Sequence, residues 1–271
     1  MLLDTRAYGF TFSYPAHDQT VGRCLREYGE FAKVEAALAC QLSRDGAFVD
    51  VGANIGAIAL PVSRHARTVI ALEAHRGLAA VLRANVKANG VGNVQVVNVA
   101  VGAAPGVARF AMPPLTEARN FGDNAFDADG PWSQEVEVRT LDSLAPPDTR
   151  LVKIDVQGFE LDVLQGAGQL LASLRPALIV EVGADSPRAR SVIRHLMAKG
   201  YACYWLFSPF VTRTAERNAP IERFAKGDHN VAAFPAEGPQ PRDMQAIDLD
   251  AGWPTDISAF PYLRRFGFEV P

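Results

Sequence analysis

Two short segments of the 271-residue chain concentrate side chains that could do chemistry. The first is Phe48-Val49-Asp50-Val51-Gly52-Ala53-Asn54-Ile55-Gly56, which reads as a strand, a tight turn and the start of a helix. Gly52 and Gly56 permit positive φ and close backbone approach, so a flat nucleotide or nucleoside can lie against the carboxyl end of the strand. The dinucleotide fingerprint would put glycines at relative positions one, three and six. Here they stand at one and five with Asn54 at position three, which weakens a pyrophosphate-binding reading. Glu73 ends a second β-branched run, where an acidic side chain in such folds accepts hydrogen bonds from a ribose diol. After a third run, side and main chain of Asn98-Val99-Ala100-Val101-Gly102 could edge an adenine.

The second segment is Lys153-Ile154-Asp155-Val156-Gln157-Gly158-Phe159-Glu160. A lysine inside an apolar strand is costly unless paired, and Asp155 just beyond it is a plausible partner or reacting-site carboxylate. Glu181 ends the following strand and would stand beside Asp155 if the two strands are neighbours. Two converging carboxylates suit a hard divalent ion held by oxygen ligands. They equally suit orienting an acceptor, or the Lys153 amine, through charge-assisted hydrogen bonds.

These residues need a frame that brings strand ends together. Ala47–Val51, Thr68–Leu72 and Val94–Val99 are apolar, β-branched runs separated by helical patterns over 55–67 and His75–Ala88, the first interrupted by Pro61 and the second closed by Asn89-Gly90. Leu151–Val156 and Ala177–Val182 follow as buried-type strands, with helices over Glu160–Leu174 and Pro187–Lys199. Tyr201–Phe207 and Asn230–Phe234 add a final antiparallel pair. Strand and helix in strict alternation predict parallel βαβ units, hence an α/β, doubly wound, mostly parallel sheet with ligands at its topological switch point.

Three regions stand outside the alternation. Residues 16–43 predict a helical cap over the sheet edge, so residues 1–45 form an N-terminal hairpin and helical cap to a domain over 46–234. Residues 101–134, with Asn120-Phe121-Gly122-Asp123-Asn124 and Gly130-Pro131-Trp132, predict a substrate-contacting loop. Residues 235–271 are rich in Pro, Gly and Asp and read as an extended arm or flexible end that could exchange between subunits of a homo-oligomer.

Composition bounds the function classes. Hydrophobic residues at 48% and charged residues at 21% are those of a globular chain, and a net charge of −3 argues against a broad footprint for duplex nucleic acid. Asp4 and Arg6 interrupt any signal-peptide apolar region, and no run of eighteen apolar residues occurs, so a cytoplasmic protein without a membrane span is expected. Three cysteines, Cys24, Cys40 and Cys203, fit buried reduced thiols rather than a disulfide framework.

The motif order resembles the FkbM family of S-adenosylmethionine-dependent methyltransferases. FVDVGANIG, the Glu73 strand end, RTLDSL at 139–144, LVKIDVQGFELDVLQGA at 151–167, RPALIVEV at 175–182 and HNVAAFP at 229–235 carry the likeness, which runs from about Gly29 to Phe234. It implies a Rossmann-like, seven-stranded class I methyltransferase fold that binds S-adenosylmethionine. By the resemblance, Asp50, Gly52, Asn54, Ile55 and Gly56 line the cofactor's methionine portion, Glu73 holds its ribose, Asn98 and Ala100 edge its adenine, and Glu30 closes over it. Asn120 would touch the acceptor. Some relatives with this carboxylate pattern use magnesium, which makes Asp155 and Glu181 candidate ligands. One departure stands out: some members carry a histidine shortly after the fifth-strand glutamate, where this chain reads Glu181-Val182-Gly183-Ala184. His229 then becomes the candidate general base, with Asn230 beside it toward the acceptor, and Lys153 and Asp155 complete the expected catalytic set. His17, His65, His75 and His195 read as structural.

The expected activity is methylation of a hydroxyl on a sugar, glycolipid or natural-product scaffold, the partner being that small molecule or glycan. An NAD-dependent oxidoreductase and an S-adenosylmethionine-binding module without catalysis are the alternatives. Glycine spacing disfavours the first, and the missing fifth-strand histidine keeps the second open.

Overall fold

A computed structural model describes residues 1–122, 130–217 and 226–270. The chain opens with a hairpin, β1 (Leu2–Ala7) and β2 (Phe10–Pro15), followed by helices α1 (Val21–Tyr28) and α2 (Lys33–Leu42). It continues as β3 (Ala47–Val51), α3 (Ala59–Val62), β4 (Thr68–Leu72), α4 (Arg76–Ala88) and β5 (Val94–Val97). A small sheet of β6 (Ala100–Val101), β7 (Gly106–Ala111) and β8 (Ser133–Arg139) comes next, then α5 (Leu141–Leu144) and β9 (Thr149–Ile154). The remainder is α6 (Glu160–Gln165), β10 (Ala177–Glu181), α7 (Pro187–Ala198), β11 (Tyr201–Pro209), β12 (Gly227–Pro235) and a tail with short 3₁₀ turns.

The central sheet has seven strands in the order β11-β12-β10-β9-β3-β4-β5. Neighbours from β10 to β5 are parallel, and β12 runs antiparallel to both β10 and β11. This is the doubly wound, seven-stranded order that the resemblance implies. The chain winds outward from β3 through β4 to β5, then returns to β9 and winds the other way, so the switch point lies between β3 and β9. Every residue of β3 is buried, as expected of a strand covered on both faces.

Helix α4 buries Leu78, Val81, Leu82 and Val86 and is capped by His75, whose Nδ1 accepts from the Gly77 and Leu78 N–H groups. The same ring donates through Nε2 to the Pro113 carbonyl at 2.9 Å, which fixes a neutral tautomer; burial depresses its pKa accordingly. Asn85 of α4 and Asn89 at its C-cap clasp the β2 main chain at Ser13 and Thr11.

Four expectations are corrected. The helix over 55–67 shrinks to Ala59–Val62, because Gly56 takes φ +92 and Pro61 removes a donor. The helix over 160–174 breaks at Gly166 and Gly168 into α6 and a wide π turn at Leu170–Leu174. The N-terminal helices do not cover the sheet edge: α2 lies on the face, against β9, β11 and α3, while the hairpin packs on α4 and α1. The C-terminal residues are no free arm. Trp205 N–H donates to the Gln245 carbonyl, and Ile247 N–H donates to the Cys203 carbonyl. Tyr262 Oη bonds both the N–H and the carbonyl of Phe207, and Phe260, Tyr262 and Leu263 are buried in the main core. The tail thereby closes the otherwise open edge of β11.

Trp205 is fully buried 4.5 Å from the Trp253 ring, so it packs the core rather than stacking on a ligand. Cys24 and Cys203 are buried free thiols pushed up to about 12 by burial. No helix among the described residues is long and apolar enough to cross a membrane.

Candidate active site

A crevice opens over the carboxyl ends of β3, β4 and β9. Its floor is the turn after β3, where Gly52 takes φ +84 and its N–H, like that of Ala53, donates to the Leu72 carbonyl. A Cβ on Gly52 would stand 1.9 Å from the Asp155 carbonyl oxygen, so only glycine allows β3 and β9 to close here. Asn54, also in the left-handed region at φ +50, turns its N–H to Glu73 Oε2 at 2.8 Å. Glu73 Oε1 accepts from the His75 N–H at 2.8 Å, so one carboxylate ties the first turn to the start of α4. Burial pushes Glu73 up to about 7, against the two N–H donors that favour its charge. Each oxygen keeps a lone pair, and the side chain lines the crevice.

On the side toward β5 the lining turns apolar, with Val99, Val101, Phe110 and Phe121. Here alternation corrects the sequence reading by one residue. Asn98 donates instead to the main-chain carbonyls of Glu73 and Ala74, and Ala100 packs with Phe110 and Val136. Ile55 and Gly56 also leave the crevice. Ile55 is fully buried in the core, and a Cβ on Gly56 would meet Leu82 Cδ1 at 2.5 Å, so Gly56 serves packing against α4. Glu30 is turned away as well, its Oε1 accepting from the Thr212 N–H and its Oε2 pairing with Lys33 at 3.2 Å. Phe31 does line the crevice, stacked on Phe210.

The far side is ionisable. Lys153 is buried, with Nζ 3.2 Å from Asp155 Oδ2 and 3.5 Å from Asp50 Oδ1. Burial disfavours its charge, but Asp155, Asp50 and Glu35 outweigh that and hold the ammonium firmly protonated. Burial raises Asp50 against the pull of the Lys153 ammonium on its Oδ1, while its Oδ2 has no hydrogen-bond partner among the described residues. Gln157 Nε2 bridges Asp155 Oδ1 at 3.3 Å and Glu181 Oε2 at 2.9 Å. Asp155 and Glu181 also share a hydrogen bond and titrate as a pair. Burial opposes the Asp155 charge, yet Lys153 and that shared bond keep its carboxyl below its usual range. Burial and the Asp155 charge push Glu181 well up, so Glu181 is the member of the pair that holds a proton more readily.

Two further carboxyls that sequence reading passed over face the same space. Asp228, at the start of β12, is pushed up to about 7 by burial and the Asp155 charge. Glu35, in α2, is pushed up to about 8 by burial, Lys153 opposing and Asp155, Asp228 and Asp50 reinforcing. His229 is corrected by the same alternation that brings Asp228 inward. Its ring packs 4.9 Å from Phe207 and 6.2 Å from Phe260 and does not line the crevice, so it is no base for a reaction there. Asn230 is buried along β12, its amide turned to the Asp228 carbonyl. Asn120 does reach the crevice, its Oδ1 accepting from the Gly122 N–H. Of the expected loop, residues 123–129 lie outside the described residues.

The arrangement divides into two chemistries. Val99, Val101 and Phe121 offer an apolar wall to a flat ring, Glu73 keeps lone pairs for a diol, and Asp50 brings a buried carboxylate, paired with Lys153, to the same floor. A divalent ion at Asp155 and Glu181 does not fit. It would have to displace the Lys153 ammonium and the Gln157 amide and strip the proton from Glu181. Among the described residues no group of three or more His, Cys, Asp or Glu converges to hold a metal.

Residues 50–203 match the family described as Methyltransferase FkbM domain. Among solved structures, the precorrin-6y C5,15-methyltransferase of Geobacter metallireducens is similar at 15% identity over 74% of this chain and 86% of that one, with a TM-score of 0.47. The FkbM methyltransferase of Methylobacillus flagellatus is similar at 16% identity and a TM-score of 0.44, over 70% of this chain and 44% of that one. This chain therefore spans less than half of that relative. The TYW2 protein of M. jannaschii, in complex with AdoMet, is similar at 15% identity over 86% of each chain, with a TM-score of 0.46. No curated protein matches the chain.

Proposed function

This chain belongs to the FkbM family of S-adenosylmethionine-dependent methyltransferases, and from that premise we propose that it methylates a hydroxyl of a sugar, glycolipid or natural-product scaffold. The observation that carries this reading is the pairing, in one crevice, of a nucleoside-shaped half with carboxyls whose proton affinities are spread apart. When bound, S-adenosylmethionine supplies a sulfonium methyl carbon open to in-line displacement. Glu73 would accept the ribose hydroxyls, Val99 and Val101 would flank the adenine, and the carboxylate of Asp50 would face the cationic amino end.

A hydroxyl is a poor nucleophile until its proton is removed, and the group assigned to that step is Asp228. Burial and the Asp155 charge push its carboxyl up to about 7, which strengthens it as a base while leaving it partly ionised near neutral pH. With the cofactor bound to supply the methyl group and leave as the neutral thioether, the Asp228 carboxylate would take the proton of the acceptor hydroxyl. Asp155, kept ionised by Lys153, orients the acceptor. Glu181, carrying the pair's proton, donates to it. No step passes through a metal.

Incubation with S-adenosylmethionine and a panel of sugar acceptors, read as release of S-adenosylhomocysteine, tests the reading. Turnover with a hydroxyl acceptor that persists in excess chelator supports it. Tight NAD binding with no affinity for S-adenosylhomocysteine overturns it in favour of an oxidoreductase.

A further inference from the structure

Beside the crevice lies a second, smaller cavity that shares two of its walls, Gln157 and Glu181. Its other lining includes Gly158, Glu160, Ser186 and Arg188. Arg188 is exposed and has no hydrogen-bond or ion-pair partner among the described residues. Arg190, two positions on, shows what a structural arginine does in this helix. It forks onto Asp185 through two 2.7 Å bonds and lies over the Trp253 ring.

The backbone opposite Arg188 is shaped to receive its guanidinium. Gln157 takes φ +50, an uncommon conformation for a residue with a Cβ, and Gly158 follows at φ +98. A Cβ on Gly158 would stand 2.3 Å from Arg188 Nη1, so the guanidinium rests directly over the glycine. The same turn holds the Gln157 amide between Asp155 and Glu181, which links the position of Arg188 to the reacting carboxyls. The two acidic side chains of the cavity offer Arg188 little competing charge. Burial disfavours ionisation of both, and Glu160 Oε1 is already engaged by the Gly158 N–H at 2.8 Å.

We propose that Arg188 anchors an oxyanion carried by the acceptor, a phosphate or carboxylate held in this side cavity while the hydroxyl lies over Asp155. The proposal rests on the hydroxyl-methylation reading and narrows it to acceptors that bear a negative charge. A planar fork of donors matches such a group bidentately, which an ammonium does not.

The test is calorimetric titration of inorganic phosphate, glucose 1-phosphate, glucuronate and glucose into the full chain and its Arg188→Ala and Arg188→Lys variants, with and without S-adenosylhomocysteine. Glucose 1-phosphate or glucuronate should bind the unaltered chain at least about tenfold tighter than glucose, the scale of a hydrogen-bonded charge pair, and Arg188→Ala should erase the difference. The stronger of the two names the oxyanion, and Arg188→Lys should retain only part of the preference. Affinity for S-adenosylhomocysteine should stay the same in all three proteins, which also shows that the variants fold. Equal binding of charged and neutral sugars, or an unchanged preference in Arg188→Ala, overturns the anchor. Loss of S-adenosylhomocysteine binding by the unaltered chain would instead overturn the methyltransferase reading, while the phosphate titration still decides on Arg188.

Discussion

At the scale of single residues, the site is a set of carboxyls sorted by their surroundings. Lys153 and a hydrogen bond with Glu181 hold Asp155 low against burial, while burial and the Asp155 charge push Asp228 up to about 7. If Asp228 is the base, turnover should fall as pH drops through about 7. Asp228→Asn should lower kcat by about 10²–10⁴ while leaving S-adenosylhomocysteine affinity intact; a variant with unchanged kcat would remove Asp228 from the reaction. Glu35 carries a separate expectation for stability. Its folded-state pKa of about 8 lies above that of an unfolded carboxylate, so the folded protein binds the extra proton between about pH 4.5 and pH 8, and stability falls as pH rises through that window. Glu35→Gln should therefore raise Tm by a few degrees at pH 8 and change it little at pH 5, as thermal melts at the two values would show. Sequence reading found the residues with a local signature, Asp50 and Gly52 in their turn and Lys153 with Asp155 at a strand end. It chose Asn98 and Ala100 where Val99 and Val101 face the crevice, and His229 where Asp228 does, because composition does not reveal which of two alternating faces is inward. Glu35 had no signature, since an acid on a helix reads as solvated until the helix is known to lie on the sheet.

At the scale of elements, the close contact of β3 with β9 decides whether the site exists. Gly52 takes a left-handed conformation with the Asp155 carbonyl against it, so Gly52→Ala imposes both backbone strain and a clash. Denaturant unfolding should show a loss of about 2 kcal/mol or more, with cofactor affinity lost as a consequence. Stability equal to the parent would mean that the turn can relax elsewhere. The buried strands were legible because runs such as Ala47–Val51 and Thr68–Leu72 are apolar on both faces. The helix after the first turn was overextended, since a 3.6-residue pattern over 55–67 persists through a segment that Gly56 and Pro61 prevent from coiling.

At the scale of the whole molecule, the N- and C-terminal segments complete the central fold. The hairpin is clasped by Asn85 and Asn89, and the tail supplies backbone partners to β11 together with Phe260, Tyr262 and Leu263 for the core. Ending the chain at residue 240 should bare the β11 edge, lower Tm and promote aggregation, visible by light scattering; a monomeric truncation with unchanged Tm would contradict that role. The tail was illegible in sequence because its Pro, Gly and Asp content reads as loop and its partners lie about forty residues upstream or further. The fold gathers six carboxyls and one lysine at its switch point, beside an apolar recess. The most direct test of what they do is transfer from S-adenosylmethionine labelled with carbon-13 at the methyl group, followed by NMR of the product. Label recovered as a methoxy carbon, one per S-adenosylhomocysteine released and absent with Asp228→Asn, is the expected result. Label on nitrogen or carbon, or no S-adenosylhomocysteine released with any hydroxyl acceptor, would contradict it.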